Sequence, residues 1–138
     1  MVSNMITREA DYAIRVMMLL ARREKEERGG ASSLEIAGEM DIPYRFLRKL
    51  VKRMVAARLV NSQRGKGGGL TLGRGAGRIS LLDVLQAMSP SGTRLSNCRS
   101  TGALCRRAGT CGMHRAINKI QASVDRQLRE VTIASLVT

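Results

Sequence analysis

Cys98, Cys105, Cys111 and His114 fall within seventeen consecutive residues and account for every cysteine and the sole histidine of the chain. Thiolate and imidazole are the usual donors to zinc and to iron-sulfur clusters, so four of them in one place suit a bound metal. Cys111 and His114 stand three apart where a helical pattern begins, and both can face the same side of its first turn. Cys98 and Cys105 would approach from the loop before it. Arg99, Arg106, Arg107 and Arg115 surround these thiols, a setting that suits the anionic sulfur a metal binds. An iron-sulfur cluster is the sharpest reading. A closed zinc site of three cysteines and a histidine stays open, although such sites favour close Cys-x2-4-Cys knuckles and here six and five residues intervene. So does a metal-free thiol sensor using one of the sulfurs. A thiol enzyme with Cys105 or Cys111 as nucleophile and His114 as base ranks last, because no substrate-pocket motif accompanies it.

The charge of the chain names a class of partner. Among 138 residues, 24 Lys and Arg face 11 Asp and Glu, a net charge of +13. Such a molecule gains free energy by displacing counterions from a polyanion. With one Phe, two Tyr and no Trp, there is no row of rings for unpaired bases to stack on, so double-stranded DNA is favoured over single strands. A basic zinc protein associated with RNA or the ribosome is the rival from another class. The apolar run Ala13 to Ala21 is interrupted by Arg15 and followed by Arg22 and Arg23. It is too short and wrongly flanked for a membrane span or export signal, which predicts a cytoplasmic protein with no membrane partner. Three cysteines in a reducing compartment also argue against a disulfide framework.

The elements that must position these groups are mostly helical. Ala10, Ala13, Ile14, Met17, Leu20 and Ala21 recur at spacings of three and four, which predicts one helix from Thr7 to about Lys25, stopped before Gly29-Gly30. A short second helix starts at Ser32 or Ser33 with Leu34, Ile36, Ala37 and Met40 inward. Asp41-Ile42-Pro43 turns the chain, and Pro43 suits the first position of a third helix. That helix turns Phe46, Leu47, Leu50, Val51 and Met54 inward and Arg45, Arg48, Lys49 and Lys52 outward. Two helices so joined describe a helix-turn-helix whose second member can lie in a major groove. Arg45, Arg48 and Lys49 are the candidates for base edges or phosphates, and Tyr44 for the backbone. Leu59 to Arg64, a Gly65-Lys66-Gly67-Gly68-Gly69 turn and Leu70 to Leu72 predict a β-wing, with Arg64 and Lys66 available to a minor groove. A phosphate-binding nucleotide loop is excluded, since no Lys-Ser/Thr and no helix follow these glycines.

Gly73 to Gly77 reads as a loose connection. Ser80 caps a helix carrying Leu81, Leu82, Val84, Leu85 and Met88, which Pro90 ends. From Ser91 to Thr110 there is no apolar period, so only bound metal is expected to order the segment. Beyond Cys111 a long helix shows the narrow stripe Ile117, Ile120, Val124, Leu128 and Val131, typical of helix-on-helix packing and read as a dimer element. Ile133, Leu136 and Val137 form a tail able to fold back on the first helix.

Asp11-Tyr12-Ala13-Ile14-Arg15, Ile42 to Leu50, Arg64 to Gly69 and the Cys-Cys-Cys-His set together resemble the IscR/NsrR-type (Rrf) family of winged helix-turn-helix regulators over nearly the whole chain. The resemblance implies a homodimeric bacterial transcription factor binding an operator in duplex DNA, with an iron-sulfur cluster on three cysteines. In the IscR branch a histidine three residues after the last cysteine is the fourth ligand, matching His114 and a [2Fe-2S] cluster. In the NsrR branch an aspartate of the partner's first helix completes a [4Fe-4S] site, and Asp11 matches that position, although a carboxylate in a first turn is also favoured locally by the helix dipole. Two departures stand out: the six residues between Cys98 and Cys105 exceed the IscR branch by one, and Arg48 falls where that branch can carry an acid. The expected architecture is mainly α with a small β-wing. Residues 1–90 form a winged helix-turn-helix, 91–111 a cysteine-bearing loop, and 112–138 a dimerisation helix with its tail.

Overall fold

Thr7 begins the first helix by accepting the Ala10 N–H on its hydroxyl (3.2 Å), and α1 runs Arg8–Lys25. Glu9 and Asp11 in its first turn and Arg22, Arg23 and Lys25 in its last complement the helix dipole. The computed structural model describes residues 6–65, 68–89, 93–96, 106–107 and 109–138. The buried face of α1 is wider than the sequence stripe and adds Val16 and Leu19. Helices and the wing pack against it.

α2 (Ser33–Met40) starts with a capping box in which Ser32 and Glu35 each bond the other's backbone N–H. It ends at Asp41 in the left-handed conformation (φ 53°). Ile36 is fully buried, but Leu34, expected inward, is 68% exposed. Two residues apart on a helix is about 200° of rotation, so a two-turn element that buries Ile36 turns Leu34 outward. α3 is Tyr44–Ala56, and Pro43 is its N-cap rather than its first helical residue, with an extended ψ of 128° and its carbonyl accepting the Leu47 N–H. Leu47, Leu50 and Met54 are buried, and Phe46 and Val51 half-buried, as the period required.

β1 (Val60–Gln63) and β2 (Gly69–Leu72) pair antiparallel, Val60 opposite Leu72 and Gln63 opposite Gly69. Lys66 and Gly67, between them, lie outside the described residues. The linker between α1 and α2 joins this wing: Ala31 and Leu70 exchange N–H···O bonds of 3.0 and 2.7 Å. The stretch read as a loose connection contains a 3-10 turn, Ala76–Arg78, pinned by Arg74. The Arg74 guanidinium donates to the carbonyls of Arg58 and Arg78 and to Asp83, each at 3.2 Å.

α4 (Leu81–Met88) has the Ser80 cap, again as a capping box, here with Asp83. It ends at Met88; Pro90 lies outside the described residues. α5 (Gly112–Glu130) and the single turn α6 (Ile133–Leu136) complete the chain. The tail folds back as expected: α6 packs on α1 and Ile133 is fully buried. Its N–H bonds the Ile79 carbonyl (2.9 Å), while the Leu81 N–H bonds that of Val131 (2.7 Å). The architecture is a mainly helical winged helix-turn-helix with a long C-terminal helix. No helix among the described residues is long and apolar enough to cross a membrane.

Candidate nucleic-acid interface and ligand site

Because the inner face of α3 is fixed by Leu47, Leu50 and Met54, helical phase turns Arg45, Arg48, Lys49 and Lys52 to solvent, and all four are exposed. Tyr44, at the start of α3, is exposed too, and the Arg48 guanidinium carbon lies 6.0 Å from its ring centroid. That contact stiffens a long basic side chain without neutralising it. Arg64 is exposed at the end of β1. The starts of α2 and α3 and the wing border an open cleft lined by Ser33, Leu34, Tyr44, Ser62 and Gln63. Its hydroxyls and amide suit a phosphodiester chain passing between helix and wing.

Sequence reasoning missed the group that seats α3. Arg53 donates to Glu9 of α1 (2.7 Å) and to the Met88 carbonyl at the end of α4 (2.6 Å). Phe46 packs edge-on against Tyr12 of α1, ring centroids 5.4 Å apart. The signal for Arg53 was its phase: three after Leu50 and seven after Phe46, it falls on the apolar stripe.

Of the ligand candidates, Cys98 and Cys105 lie outside the described residues. Cys111 is the N-cap of α5, a half-buried free thiol, and His114 follows on the same first turn, also half-buried. Asn118, one turn on, holds the ring with its amide nitrogen 3.1 Å from Nε2 of His114. Asp11 is engaged elsewhere, in an ion pair with Arg15 at 2.8 Å, and Arg15 in turn stacks on Tyr12. Among the described residues no three of His, Cys, Asp and Glu come together, so Asp11 does not join Cys111 and His114 within one subunit.

The segment before Cys98 corrects one expectation. Thr93 is 4% exposed, and its hydroxyl donates to Asp125 (2.6 Å). Gln121 donates to the Thr93 carbonyl (2.8 Å) and to Asp125 (2.9 Å), and accepts the Leu95 N–H (2.8 Å). Protein side chains, not metal alone, therefore hold residues 93–96 against α5. His114, Asn118, Gln121 and Asp125 follow one another at spacings of four, three and four, a polar stripe on one helix face. Beside it runs the apolar stripe, with Ile117, Val124 and Leu128 half-buried and Ile120 50% exposed; no residue of α5 is fully buried. Leu128 packs on the core.

Residues 6–138 match the model of a family described as Rrf2, iron-dependent transcriptional regulator. A protein named as an HTH-type transcriptional regulator, BadM of Rhodopseudomonas palustris, is 31% identical over 121 residues, covering 88% of this chain and 72% of BadM. Among solved structures, IscR of T. potens has a TM-score of 0.73 at 21% identity, covering 95% of this chain and 84% of its own. CymR (YrzC), the global cysteine regulator of B. subtilis, has a TM-score of 0.69 at 22% identity, covering 99% and 97%. These last two likenesses show the fold.

Proposed function

The chain belongs to the Rrf2 family of DNA-binding transcriptional regulators, and on that premise we propose a homodimer that reads a duplex operator with α3 and the wing while a cluster on its cysteines tunes the affinity. The family is non-enzymatic, and the thiol-enzyme reading is dropped with the RNA-associated one. The observation that carries the DNA reading is the exposed row Arg45, Arg48 and Lys49 beside Tyr44, set on the second helix of a helix-turn-helix. These residues enter the major groove, and Arg64 and Lys66 follow the adjacent minor groove. Residues 1–90 act as the reading head, 91–111 as the cluster loop and 112–138 as the subunit-joining element, whose open apolar stripe on α5 suits a second copy.

Cys98, Cys105, Cys111 and His114 would hold the cluster, favouring [2Fe-2S]; Asp11 from the second subunit is the reserve ligand of a [4Fe-4S] form. The described donors fit, since Cys111 and His114 share the first turn of α5; a ligating Nδ1 would leave Nε2 as the protonated nitrogen, donating to the Asn118 side chain once that amide is turned to present its oxygen. When bound, such a cluster responds chemically to iron supply, oxidant or nitric oxide. α5 packs on α4, its C-terminal end is bonded to the start of α4, and α6 lies on α1, which carries α2 and α3. Cluster and operator are then linked reciprocally: whichever state DNA prefers, DNA stabilises in return.

Anaerobic purification with iron, sulfide and visible-absorption analysis, followed by operator titration of holo and apo protein, tests this. Stoichiometric iron and sulfide with a changed operator affinity are expected; a colourless protein under those conditions overturns the cluster. A cluster-free thiol regulator is the second reading, favoured because protein side chains hold residues 93–96 against α5. Loss of DNA affinity on mild oxidation of metal-free protein would distinguish it.

A further inference from the structure

Arg23 ends the buried stripe of α1. It follows Leu20 by three and Val16 by seven, and it is 7% exposed. Its Nη2 donates to Glu39 Oε1 (2.7 Å), and its Nη1 lies 3.2 Å from Glu35 Oε2 and 3.3 Å from the Gly30 carbonyl. Its Nε is buried without a partner. Glu35 also accepts the Ser32 N–H in the capping box (3.3 Å). One guanidinium thus grips both turns of α2 and the linker that leads into it.

The next residue of that linker, Ala31, is the one bonded to Leu70 of β2 in both directions. The linker is in effect a one-residue third strand of the wing, and the junction has no slack. A Cβ on Gly69 would stand 2.7 Å from the Ala31 oxygen, and one on Gly30 would stand 3.0 Å from the Leu70 oxygen. Whatever fixes Gly30 and α2 together therefore fixes the wing relative to the helix-turn-helix. A buried apolar side chain would fill the space at lower desolvation cost, and a lysine ammonium is a compact point charge that lacks the flat fork needed to span three acceptors. Neither would tie linker and helix at once.

We propose that Arg23 is a positioning residue for DNA reading. It sets the angle between the α2–α3 unit and the wing, so that Arg64 reaches the minor groove while α3 occupies the major groove. Arg23 is too buried to touch DNA itself. The inference rests on the assignment of α3 and the wing as the DNA face.

The test uses full-length Arg23→Met and Arg23→Lys proteins beside wild type, prepared identically, with a duplex that wild type selects from a random pool. Hydroxyl-radical footprinting reads α3 and the wing separately. Wild type should protect the central site and the flanking minor groove. Both variants should keep the central protection, lose the flanking one, and bind about tenfold more weakly, the size of one lost paired contact. Amide exchange at Ala31 and Leu70 should accelerate about tenfold or more, reporting local opening rather than global unfolding. Glu39→Gln, which keeps an acceptor at 39, should retain most of the flanking protection. If Arg23→Met does not fold, Arg23→Lys carries the test. An intact flanking footprint in a variant with faster Ala31 and Leu70 exchange overturns the role, and so does joint fading of both footprints with exchange unchanged. A wild-type footprint without flanking protection instead overturns the α3–wing assignment, and this inference with it.

Discussion

Replacing Thr93 by Val asks what orders the chain ahead of Cys98. Valine keeps the branched shape of a side chain that is 4% exposed and exchanges the hydroxyl, which donates to Asp125 at 2.6 Å and accepts from Gln121 Nε2 at 3.3 Å, for a methyl group. A hydrogen bond to a charged acceptor contributes about 1.5 to 3 kcal/mol. Asp125 keeps its bond from Gln121 (2.9 Å), and the Thr93 carbonyl keeps its own (2.8 Å), so the loss belongs at the low end, about 1.5 kcal/mol. For a chain of this size that is a fall of roughly 4–6 °C in melting temperature. The assay is urea unfolding of metal-free protein at fixed concentration, run as a double-mutant cycle with Asp125→Asn. A coupling of about 1 kcal/mol is expected. If Thr93→Val leaves the metal-free protein unchanged within about 0.3 kcal/mol, or the two substitutions simply add, the contact does not hold the segment.

Arg48→Ala should weaken operator binding by about 1 to 3 kcal/mol and relax preference at one base position, whereas Lys66→Ala should weaken all duplexes alike and flatten the salt dependence; equal behaviour of the two in competition titrations would refute the division between helix and wing. Burial pushes the Asp83 carboxyl up, but the Ser80 N–H and hydroxyl and the Arg74 guanidinium outweigh it, leaving it below its ordinary 3.8. A lowered folded pKa stabilises fully above that value and is lost as pH falls through the folded one, so Asp83→Asn should flatten the loss of urea stability below about pH 4. Gly69 has φ +124° and backbone against its missing Cβ, so Gly69→Ala should cost about 2 kcal/mol or more in denaturant unfolding. Anaerobic spectra of Cys111→Ala, His114→Ala and Asp11→Ala should separate the ligand sets. Loss of the native spectrum in His114→Ala with Asp11→Ala silent supports [2Fe-2S], and the reverse supports the [4Fe-4S] form.

The readable parts of the fold were those where one periodicity meets one capping residue. Thr7, Ser32 and Ser80 started the helices that the apolar spacing predicted, and the two wing strands pair as their sequence suggested. What escaped was tertiary in origin. A two-turn helix leaves too few positions to tell its buried side, hence Leu34. Gly73 to Gly77 looks unstructured until Arg74 is seen bonding a carbonyl sixteen residues upstream. Arg23 and Arg53 went unassigned because their acceptors sit on other elements, although both lie in phase with the buried face of their own helix. The candidate site was legible as a set of donors, and the Thr93–Gln121–Asp125 contacts beside it were not, since nothing local links residues some thirty positions apart.

Ile133 closes the hydrophobic interior against α1 and bonds the backbone next to Ser80. During synthesis, then, the reading head emerges well before the piece that seals it. A nascent chain stopped short of residue 133 carries all of α3 and the wing but leaves α1 with an uncovered flank, so a sealed interior requires Ile133 to have been made. Aborted fragments of this regulator should be sticky and ineffective rather than competitors for its promoter.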